Sequence, residues 1–187
     1  MSKNTVLTLV GSLRAGSTNQ QLAEAFQLNA PEQMEVLIHD SLGNIPFYNE
    51  DIDVEGQVPA AAAALRAAAN DADTLLLVTP EHNGTVPASL KNAIDWLSRP
   101  FGAGALSGKP TAVVGTAFGQ FGGVWAQDEA RKAVGIAGAR VLEDVKMAVP
   151  SSLVRFAETH PKDDAEIVEQ IKAVFEVLEE SRSVSAA

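Results

Sequence analysis

Cysteine is absent from the 187-residue sequence, and histidine occurs three times. The lack of cysteine excludes disulfides, thiolate nucleophiles and cysteine-ligated zinc or iron–sulfur sites, and it suits a reducing cytoplasm. His39, His82 and His160 lie far apart in the sequence, and none belongs to an HExxH motif. We therefore expect a cytoplasmic protein without a metal site.

Basic residues and long apolar runs are also scarce. The chain carries 14 Lys and Arg against 24 Asp and Glu, and this formal charge of −10 opposes binding to nucleic acid or anionic lipid. No apolar run approaches the roughly 20 residues that cross a bilayer. The N-terminus lacks a basic segment followed by an apolar signal core. We expect no nucleic-acid partner and no membrane insertion, and an anionic ligand would need a locally built site.

The sequence does contain an alternation of short apolar runs and helical patterns. The runs predict buried strands at Asn4–Val10, Met34–Ile38, Thr74–Thr79, Thr111–Thr116 and roughly Arg140–Ala148. Helical patterns lie at 19–28, 59–70, 89–97 and 123–137, and a last helix carries Ile167, Val168, Ile171, Val174, Phe175 and Leu178 on one stripe. This order predicts an α/β fold with a five-stranded parallel sheet, right-handed crossovers and helices on both faces.

The length and the 46% hydrophobic content predict one domain over residues 1–187, with a frayed tail at 181–187. In doubly wound parallel sheets, ligands bind beyond the carboxyl ends of the strands, where the strand order reverses. The loops after strands one, three and four are therefore the candidate ligand-binding loops.

The loop after the first strand has the layout of a phosphate site. It reads GSLRAGSTN and opens a helix, whose free amides carry partial positive charge. Hydrogen-bond donors come from Ser12, Ser17, Thr18 and Asn19, and Arg14 adds a cation. The P-loop motif GxxxxGK[ST] and the dinucleotide-binding motif GxGxxG are both missing. A mononucleotide phosphate is therefore the expected ligand. The alternative is a plain turn with a Ser or Thr N-cap, which leaves Arg14 unexplained.

The loop after the third strand exposes Pro80, Glu81, His82, Asn83 and Gly84 beside the predicted phosphate loop. A flat heterocycle could lie against this stretch, since backbone amides can hydrogen-bond ring nitrogens and carbonyls. Alternatively, Glu81 is a local hydrogen-bond acceptor and His82 is a solvent-facing or ring-stacking loop residue.

The loop after the fourth strand has four glycines in the nine residues from Gly115 to Gly123. Either a ligand presses against this loop, or the glycines only supply tight turns between strand and helix. Phe118 and Phe121 could cover an aromatic ring, or they could belong to the core or to an interface.

Four segments stand in a familiar order: GSLRAGSTN, IPFYNEDID at Ile45–Asp53, TPEHNGTVPASLKNAIDWLSRP, and GKPTAVVGTAFGQFGGVWAQ from Gly108. Together they resemble the NADPH-dependent FMN reductase family, which includes bacterial flavin, quinone, azo-dye and chromate reductases. The resemblance implies a flavodoxin-like three-layer sandwich with strand order 2-1-3-4-5. Members commonly form dimers or tetramers with FMN near the interface, and IPFYNEDID often builds that contact, so we expect a homodimer or homotetramer.

The resemblance also implies an FMN site. Its phosphate would be held by Ser12, Arg14, Ser17 and Asn19, its isoalloxazine and ribityl chain bordered by Pro80, Glu81, Asn83 and Gly84, and its other side lined by Thr116, Gly119, Gly122 and Gly123. Thr18 and His82 complete the expected set. Two departures from the family fall beside the flavin, since its usual tyrosine after Pro-Glu is His82 and its usual Ser-Pro is Ala117-Phe118.

The implied reaction passes hydride from NAD(P)H through FMN N5 to a quinone, flavin, azo compound or chromate. It would follow a ping-pong scheme that needs no catalytic side chain. One alternative is a flavodoxin-like electron carrier, although the TxTGxTE-like phosphate loop of flavodoxins is missing. Another is a non-catalytic regulatory domain with weakened flavin binding, an interpretation motivated by His82 and Ala117-Phe118.

Overall fold

The computed structural model describes residues 3–185. The strands are β1 (Asn4–Val10), β2 (Met34–Ile38), β3 (Thr74–Val78), β4 (Pro110–Thr116), β5 (Arg140–Val141) and β6 (Met147–Val149). The helices are α1 (Thr18–Leu28), α2 (Ala60–Asp71), α3 (Ala88–Leu97), α4 (Val124–Ile136), α5 (Ser152–Arg155) and α6 (Ala165–Ser185). Short 3₁₀ turns lie at Leu42–Asn44, Glu50–Ile52 and Pro161–Asp163.

The strands form one parallel sheet in the order β2-β1-β3-β4-β5, with β6 also paired to β4. The strand order reverses between β1 and β3, so their carboxyl ends open onto the crevice in which such sheets bind ligands. The predicted α/β class and the order 2-1-3-4-5 are confirmed, with β6 as an extra strand.

The predicted fifth strand is in fact broken into β5 and β6. Between the pairs Thr111–Val141 and Val114–Met147, three steps along β4 face six steps along the partner, so extra residues bulge out of the sheet. The buried guanidinium of Arg131 donates to Val113 O and to Val145 O, both at 3.0 Å. The guanidinium therefore gives these two carbonyl groups the hydrogen-bond donors that continuous pairing between β4 and an unbroken fifth strand would have supplied.

Both faces of the sheet are covered by apolar helix stripes. Helices α1 and α6 pack on one face with Phe26 against Phe175, and the other face packs against α2, α3 and α4 around Leu65, Trp96 and Val134. Since the strands are buried on both sides, they read as continuous apolar runs rather than alternating ones. The predicted stripe of the last helix lies in the core as expected, apart from the half-buried Val168.

The C-terminal end differs from the prediction. Helix α6 continues to Ser185, and Ser181 is buried with its hydroxyl donating to Leu178 O at 2.7 Å. The frayed tail expected from residue 181 is therefore helical as far as 185, and residues 186 and 187 lie outside the described residues. No helix within residues 3–185 has the length and hydrophobicity that a membrane crossing requires.

Candidate functional site

A cleft of about 490 Å³ lies at the carboxyl edge of the sheet, where the loops after β1, β3 and β4 meet helix α5. Its size falls within the range of small-molecule sites, about 300–1,000 Å³. The lining residues are Gly11, Ser12, Leu13, Arg14, Ser17, Thr18, Asn19, Pro80, Glu81, His82, Pro87, Ala88, Ser89, Thr116, Ala117, Phe118, Ser152 and Leu153. The cleft thus brings together the three loops that the sequence predicts as ligand-binding.

The loop after β1 is packed tightly against the loop after β3. Gly11 N donates to Val78 O at 2.9 Å, and Gly11 O accepts from the Ser89 hydroxyl at 2.8 Å. A Cβ atom at position 11 would lie 2.9 Å from Pro87 Cγ and 3.3 Å from Pro80 Cδ. Only glycine fits without displacing these prolines, so the two loops are held in a fixed relation.

Beyond Gly11 the chain presents unpaired main-chain donors. Ser17 is the N-cap of α1, and its side chain accepts from Asn19 N at 3.2 Å. Within residues 3–185, no protein group accepts a hydrogen bond from the amides of residues 12 to 16. The side chain of Arg14 is exposed and contacts the main chain at Ala15 O, 3.3 Å away. Free amides, a helix N-terminus and a guanidinium together form a cradle for an anion.

Asn19 has a different role from the phosphate contact that its position suggests. It is 3% exposed, and its amide group makes a reciprocal pair with the backbone of Thr116: Nδ2 donates to Thr116 O at 2.8 Å, and Thr116 N donates to Oδ1 at 3.0 Å. The Thr116 hydroxyl in turn donates to Val149 O at 2.9 Å. Asn19 therefore fixes the start of α1 to the end of β4, and neither side chain points its donor into the cleft.

The loop after β3 forms a tight two-residue hairpin. Asn83 and Gly84 both have positive φ, at 53° and 77°, while His82 N donates to Thr85 O at 3.0 Å and Thr85 N donates to His82 O at 3.1 Å. These are the features of a type I′ turn, for which Asn-Gly is the preferred sequence. The hairpin holds the backbone of His82 beside the cleft and carries Asn83 and Gly84 away from it.

Glu81 faces the amino end of α4. Its Oε2 accepts from Ala126 N at 3.4 Å, in the first turn of that helix. A carboxylate is favoured there by the helix dipole and by the unpaired amides. Glu81 thus fulfils the role of a local hydrogen-bond acceptor, while it also lines the cleft.

The loop after β4 is bound to the segment that follows β6. Ser152 N donates to Ala117 O at 3.0 Å, and Ser151 N donates to Gly119 O at 3.3 Å. A Cβ atom at Gly122 would lie 2.6 Å from the carbonyl carbon of Ala148, so this glycine allows close contact between the loop and β6. Gly122 therefore serves backbone packing, and α5 becomes the fourth wall of the cleft.

Helix α5 is held in place by an ion pair. Arg155 Nε donates to Asp164 Oδ2 at 2.7 Å and its Nη2 donates to Asp164 Oδ1 at 3.0 Å. The hydrogen bonds from Arg155 hold the pKa of Asp164 below its usual value, and those from Asp164 and Glu166 raise the pKa of Arg155. This bidentate pair connects α5, which lines the cleft through Ser152 and Leu153, to the residue immediately before α6.

The structure collects nine of the fourteen predicted site residues in the cleft lining and leaves five outside it. Those inside are Ser12, Arg14, Ser17, Thr18, Asn19, Pro80, Glu81, His82 and Thr116; those outside are Asn83, Gly84, Gly119, Gly122 and Gly123. Ser152 and Leu153 were missed because they follow an unpredicted sixth strand. Within residues 3–185, no group of three or more His, Asp or Glu side chains could hold a metal ion.

Exposed apolar side chains surround the mouth of the cleft. Leu13 is 56% exposed, Phe118 72% and Leu153 56%, and each belongs to a different wall. Apolar groups left in water around a polar cradle are typical of a site for a ligand with an anionic end and a flat apolar end.

Comparison with known proteins gives concordant matches. A family model described as NADPH-dependent FMN reductase matches residues 4–153. A 2-hydroxy-1,4-benzoquinone reductase from Burkholderia sp is 38% identical over 165 residues, covering 88% of this chain and 86% of that protein. A quinone reductase from Escherichia coli (strain K12) is 42% identical over 127 residues, covering 68% of this chain and 67% of that protein.

A solved structure is also similar along almost the whole chain. The flavoenzyme NAD(P)H:(acceptor) oxidoreductase from Paracoccus denitrificans superposes with a TM-score of 0.79 at 27% identity, covering 95% of this chain and 98% of that one. The residues matched by the family model include all four walls of the cleft.

Proposed function

Because the chain belongs to the NADPH-dependent FMN reductase family, we propose that it binds FMN in the cleft described above and reduces small acceptors, quinones foremost, with NAD(P)H. The observation that carries this proposal is the convergence of the loops after β1, β3 and β4 on one cleft at the carboxyl edge of the sheet. A mononucleotide with a flat ring needs a phosphate cradle at one end and an open apolar mouth at the other, and this cleft offers both.

The residues of the loop after β1 fit the FMN phosphate. The free amides of residues 12 to 14 and the exposed guanidinium of Arg14 supply donors for phosphate oxygens in an otherwise acidic protein. Ser12, Ser17 and Thr18 line the same end of the cleft and add hydroxyl groups. Asn19 acts indirectly by fixing this loop to β4 through Thr116.

The residues at the other end fit a flat ring. Pro80, Glu81 and His82 line the cleft from the loop after β3, and Ala117 and Phe118 line it from the loop after β4. When bound, FMN accepts a hydride from NAD(P)H and passes the two electrons on to an acceptor. The chain's own contribution is to hold the ring between rigid loops, which aligns the reactants without a nucleophilic side chain.

Quinones are the acceptor class that the relatives favour. Both sequence relatives described above carry quinone reductase names. The exposed apolar side chains of Leu13, Phe118 and Leu153 provide surfaces for a flat neutral ring. We propose a ping-pong order in which donor and acceptor use the same face in turn, and initial-rate plots should give parallel rather than intersecting lines.

The test begins with the purified protein and added FMN. After removal of free FMN, the protein should retain flavin absorption, which should bleach when NADPH is added without oxygen and return when a benzoquinone is added. A flavodoxin-like carrier would retain flavin but turn over NADPH slowly. A protein that cannot retain FMN at any concentration would contradict the proposal and support the regulatory alternative.

We further propose that residues 1–187 form one reductase domain that works in the cytoplasm, which supplies NAD(P)H, as at least a homodimer. The support for dimerisation is the Ile45–Asp53 segment, which is hydrogen-bonded to α3 and exposes Phe47. Asn92 and Trp96 hydrogen-bond the Ile45–Asp53 segment, Phe47 protrudes from it at 76% exposure, and Arg99 lies over the Tyr48 ring. Exposed apolar groups on a fixed segment are typical of interfaces.

The oligomer can be tested with matched variants. Phe47→Ser should shift the mass measured by light scattering toward the monomer, because it removes an apolar contact from the proposed interface. Leu28→Ser is the control, since Leu28 is 64% exposed on α1, on the opposite face of the sheet. A wild-type monomer at all concentrations would contradict the dimer.

A further inference from the structure

His82 has no structural task that accounts for its side chain. Its backbone is fixed by the hairpin, through hydrogen bonds of 3.0 and 3.1 Å to Thr85, while its imidazole is exposed and lines the cleft. The other two histidines have local contacts outside the cleft: His39 Nδ1 lies 2.6 Å from Asp40 O, and His160 Nε2 lies 3.3 Å from Glu24 Oε2.

Among the described lining residues, three carry ionisable side chains: Arg14, Glu81 and His82. Guanidinium groups are not deprotonated in proteins, so an arginine side chain does not act as a general acid. Glu81 is already engaged as an acceptor, since its Oε2 accepts a hydrogen bond from Ala126 N in the first turn of α4. Thr116, Ala117, Phe118, Ser152 and Leu153 bring no charge from the other walls. Imidazole exchanges protons near neutral pH and is the remaining candidate.

Reduction of a quinone requires a proton that hydride transfer does not supply. The product hydroquinone differs from the quinone by two electrons and two protons, and a hydride brings both electrons but one proton. A new O–H bond at one carbonyl uses the hydride, and the ring's π electrons shift to the second oxygen, which becomes an oxyanion. An acid at the mouth of the cleft is needed to protonate that oxygen without waiting for water.

We propose that His82 is this acid: its imidazolium donates a proton to the oxyanion of the quinone, and the N–H electrons remain on the ring nitrogen. The neutral imidazole is then recharged from solvent, which its exposure permits. This inference rests on the proposed quinone reductase function. It gives His82 a catalytic role where the cofactor-centred scheme assigns none to any side chain.

The test compares an acceptor that needs protons with one that does not. His82→Phe should lower kcat/KM for a benzoquinone about 30-fold, less than the roughly 100-fold or more of a typical general acid because water can also reach the site. Because His82 also borders the flavin site, reduction of ferricyanide, which takes electrons alone, serves as the reference in salt of about 1 M, where charge effects are screened. The ratio of the quinone rate to the ferricyanide rate should fall by at least about tenfold in His82→Phe. His82→Tyr, which keeps an O–H donor, should recover part of the loss, whereas His82→Gln should not.

A binding experiment provides a readout that does not depend on turnover. Hydroquinone added to the oxidised, FMN-loaded protein should move the ring C–H resonances of His82 in the NMR spectrum. Those of His39 and His160 should stay in place, which makes them internal controls.

The possible outcomes distinguish a failure of this inference from a failure of the proposed function. If the wild-type protein reduces quinone but His82→Phe does so equally well, or loses quinone and ferricyanide reduction in parallel, His82 is not the acid. If the wild-type protein neither retains FMN nor oxidises NADPH, the proposed function itself fails.

Discussion

The two ends of the cleft are built on different principles. At the proposed phosphate end, residues 11–19, the donors are main-chain amides whose positions are fixed by buried contacts, such as Gly11 against Pro87 and Asn19 with Thr116. At the proposed ring end, residues 80–82, 117–118 and 152–153, exposed side chains such as Phe118 and Leu153 determine the surface. Changes at the phosphate end should therefore affect folding and FMN retention together, while those at the ring end should affect acceptor use.

Asn19→Ala should show the largest effect and test whether the phosphate end depends on buried structure. The substitution leaves Thr116 N and O buried without partners, which should lower the free energy of unfolding by on the order of 3 kcal/mol. FMN affinity should fall with it, because the start of α1 loses its attachment to β4. Urea denaturation and flavin fluorescence titration measure the two effects.

Gln20→Ala is the matched control for Asn19→Ala. Gln20 is the next residue of α1, half-buried, and its side chain bonds Glu24 at 3.1 Å within the same helix. Gln20→Ala should lower the free energy of unfolding by less than about 1 kcal/mol. If the two variants lose equal free energy of unfolding, the hydrogen bonds between Asn19 and Thr116 contribute no more to stability than an ordinary contact within α1.

Arg14→Ala should separate binding from folding at the same end. Losing charge-assisted hydrogen bonds worth about 2 kcal/mol should weaken FMN binding about 30-fold. The melting temperature without FMN should stay unchanged, since Arg14 is exposed and contacts only a neighbouring carbonyl. The FMN affinity of Arg14→Lys should lie between those of the wild type and Arg14→Ala, because lysine keeps the charge but not the planar guanidinium. Unchanged FMN affinity would remove Arg14 from the phosphate site.

Asp164→Asn tests the difference between the two ends of the cleft from the ring end, where the ion pair of Arg155 and Asp164 holds α5. The asparagine can still cap α6 through Glu166 N, so the substitution mainly removes the carboxylate charge facing Arg155. We expect a stability loss of about 1 kcal/mol at neutral pH. FMN retention should change little, because the affected wall lies away from the phosphate end.

The pH dependence of this pair follows from the lowered pKa of Asp164. Its stabilisation is fully present above the unfolded carboxyl pKa of about 3.9 and is lost as the pH falls toward the lower folded value. The stability difference between wild type and Asp164→Asn should therefore shrink below about pH 4. Asp163→Asn, at an exposed neighbouring position, should show no such difference.

Phe118→Ala should have the smallest effect. The side chain is 72% exposed, so the free energy of unfolding should stay within about 0.5 kcal/mol. Its proposed contact is with the acceptor, so KM for a quinone should rise by about threefold, corresponding to less than 1 kcal/mol. Phe101→Ala, 88% exposed and outside the cleft lining, is the control. A large loss of FMN from Phe118→Ala would contradict the expectation that changes at the ring end affect acceptor use rather than FMN retention.

The same contrast explains what the sequence could predict. Continuous β-branched runs give the strands, and glycine, serine and arginine directly after β1 give the phosphate loop, because both signals are local. The Asn83-Gly84 turn was also readable, since this dipeptide favours a type I′ hairpin.

Long-range contacts could not be read from the sequence. The division of the fifth strand depends on Arg131 reaching carbonyls of β4 and the bulge, and the role of Asn19 depends on a partner 97 positions away. Ser152 and Leu153 enter the cleft because their loop is bonded to Ala117 and Gly119. These residues carry no motif of their own.

The most direct test of the central claim compares FMN with riboflavin, which lacks the phosphate, in fluorescence titrations of the wild-type protein. If the loop after β1 holds the phosphate, FMN should bind about 100-fold more tightly or better, since several charge-assisted hydrogen bonds are lost with riboflavin. Equal affinities for the two flavins would contradict the assignment of this loop and the orientation of the cofactor built on it.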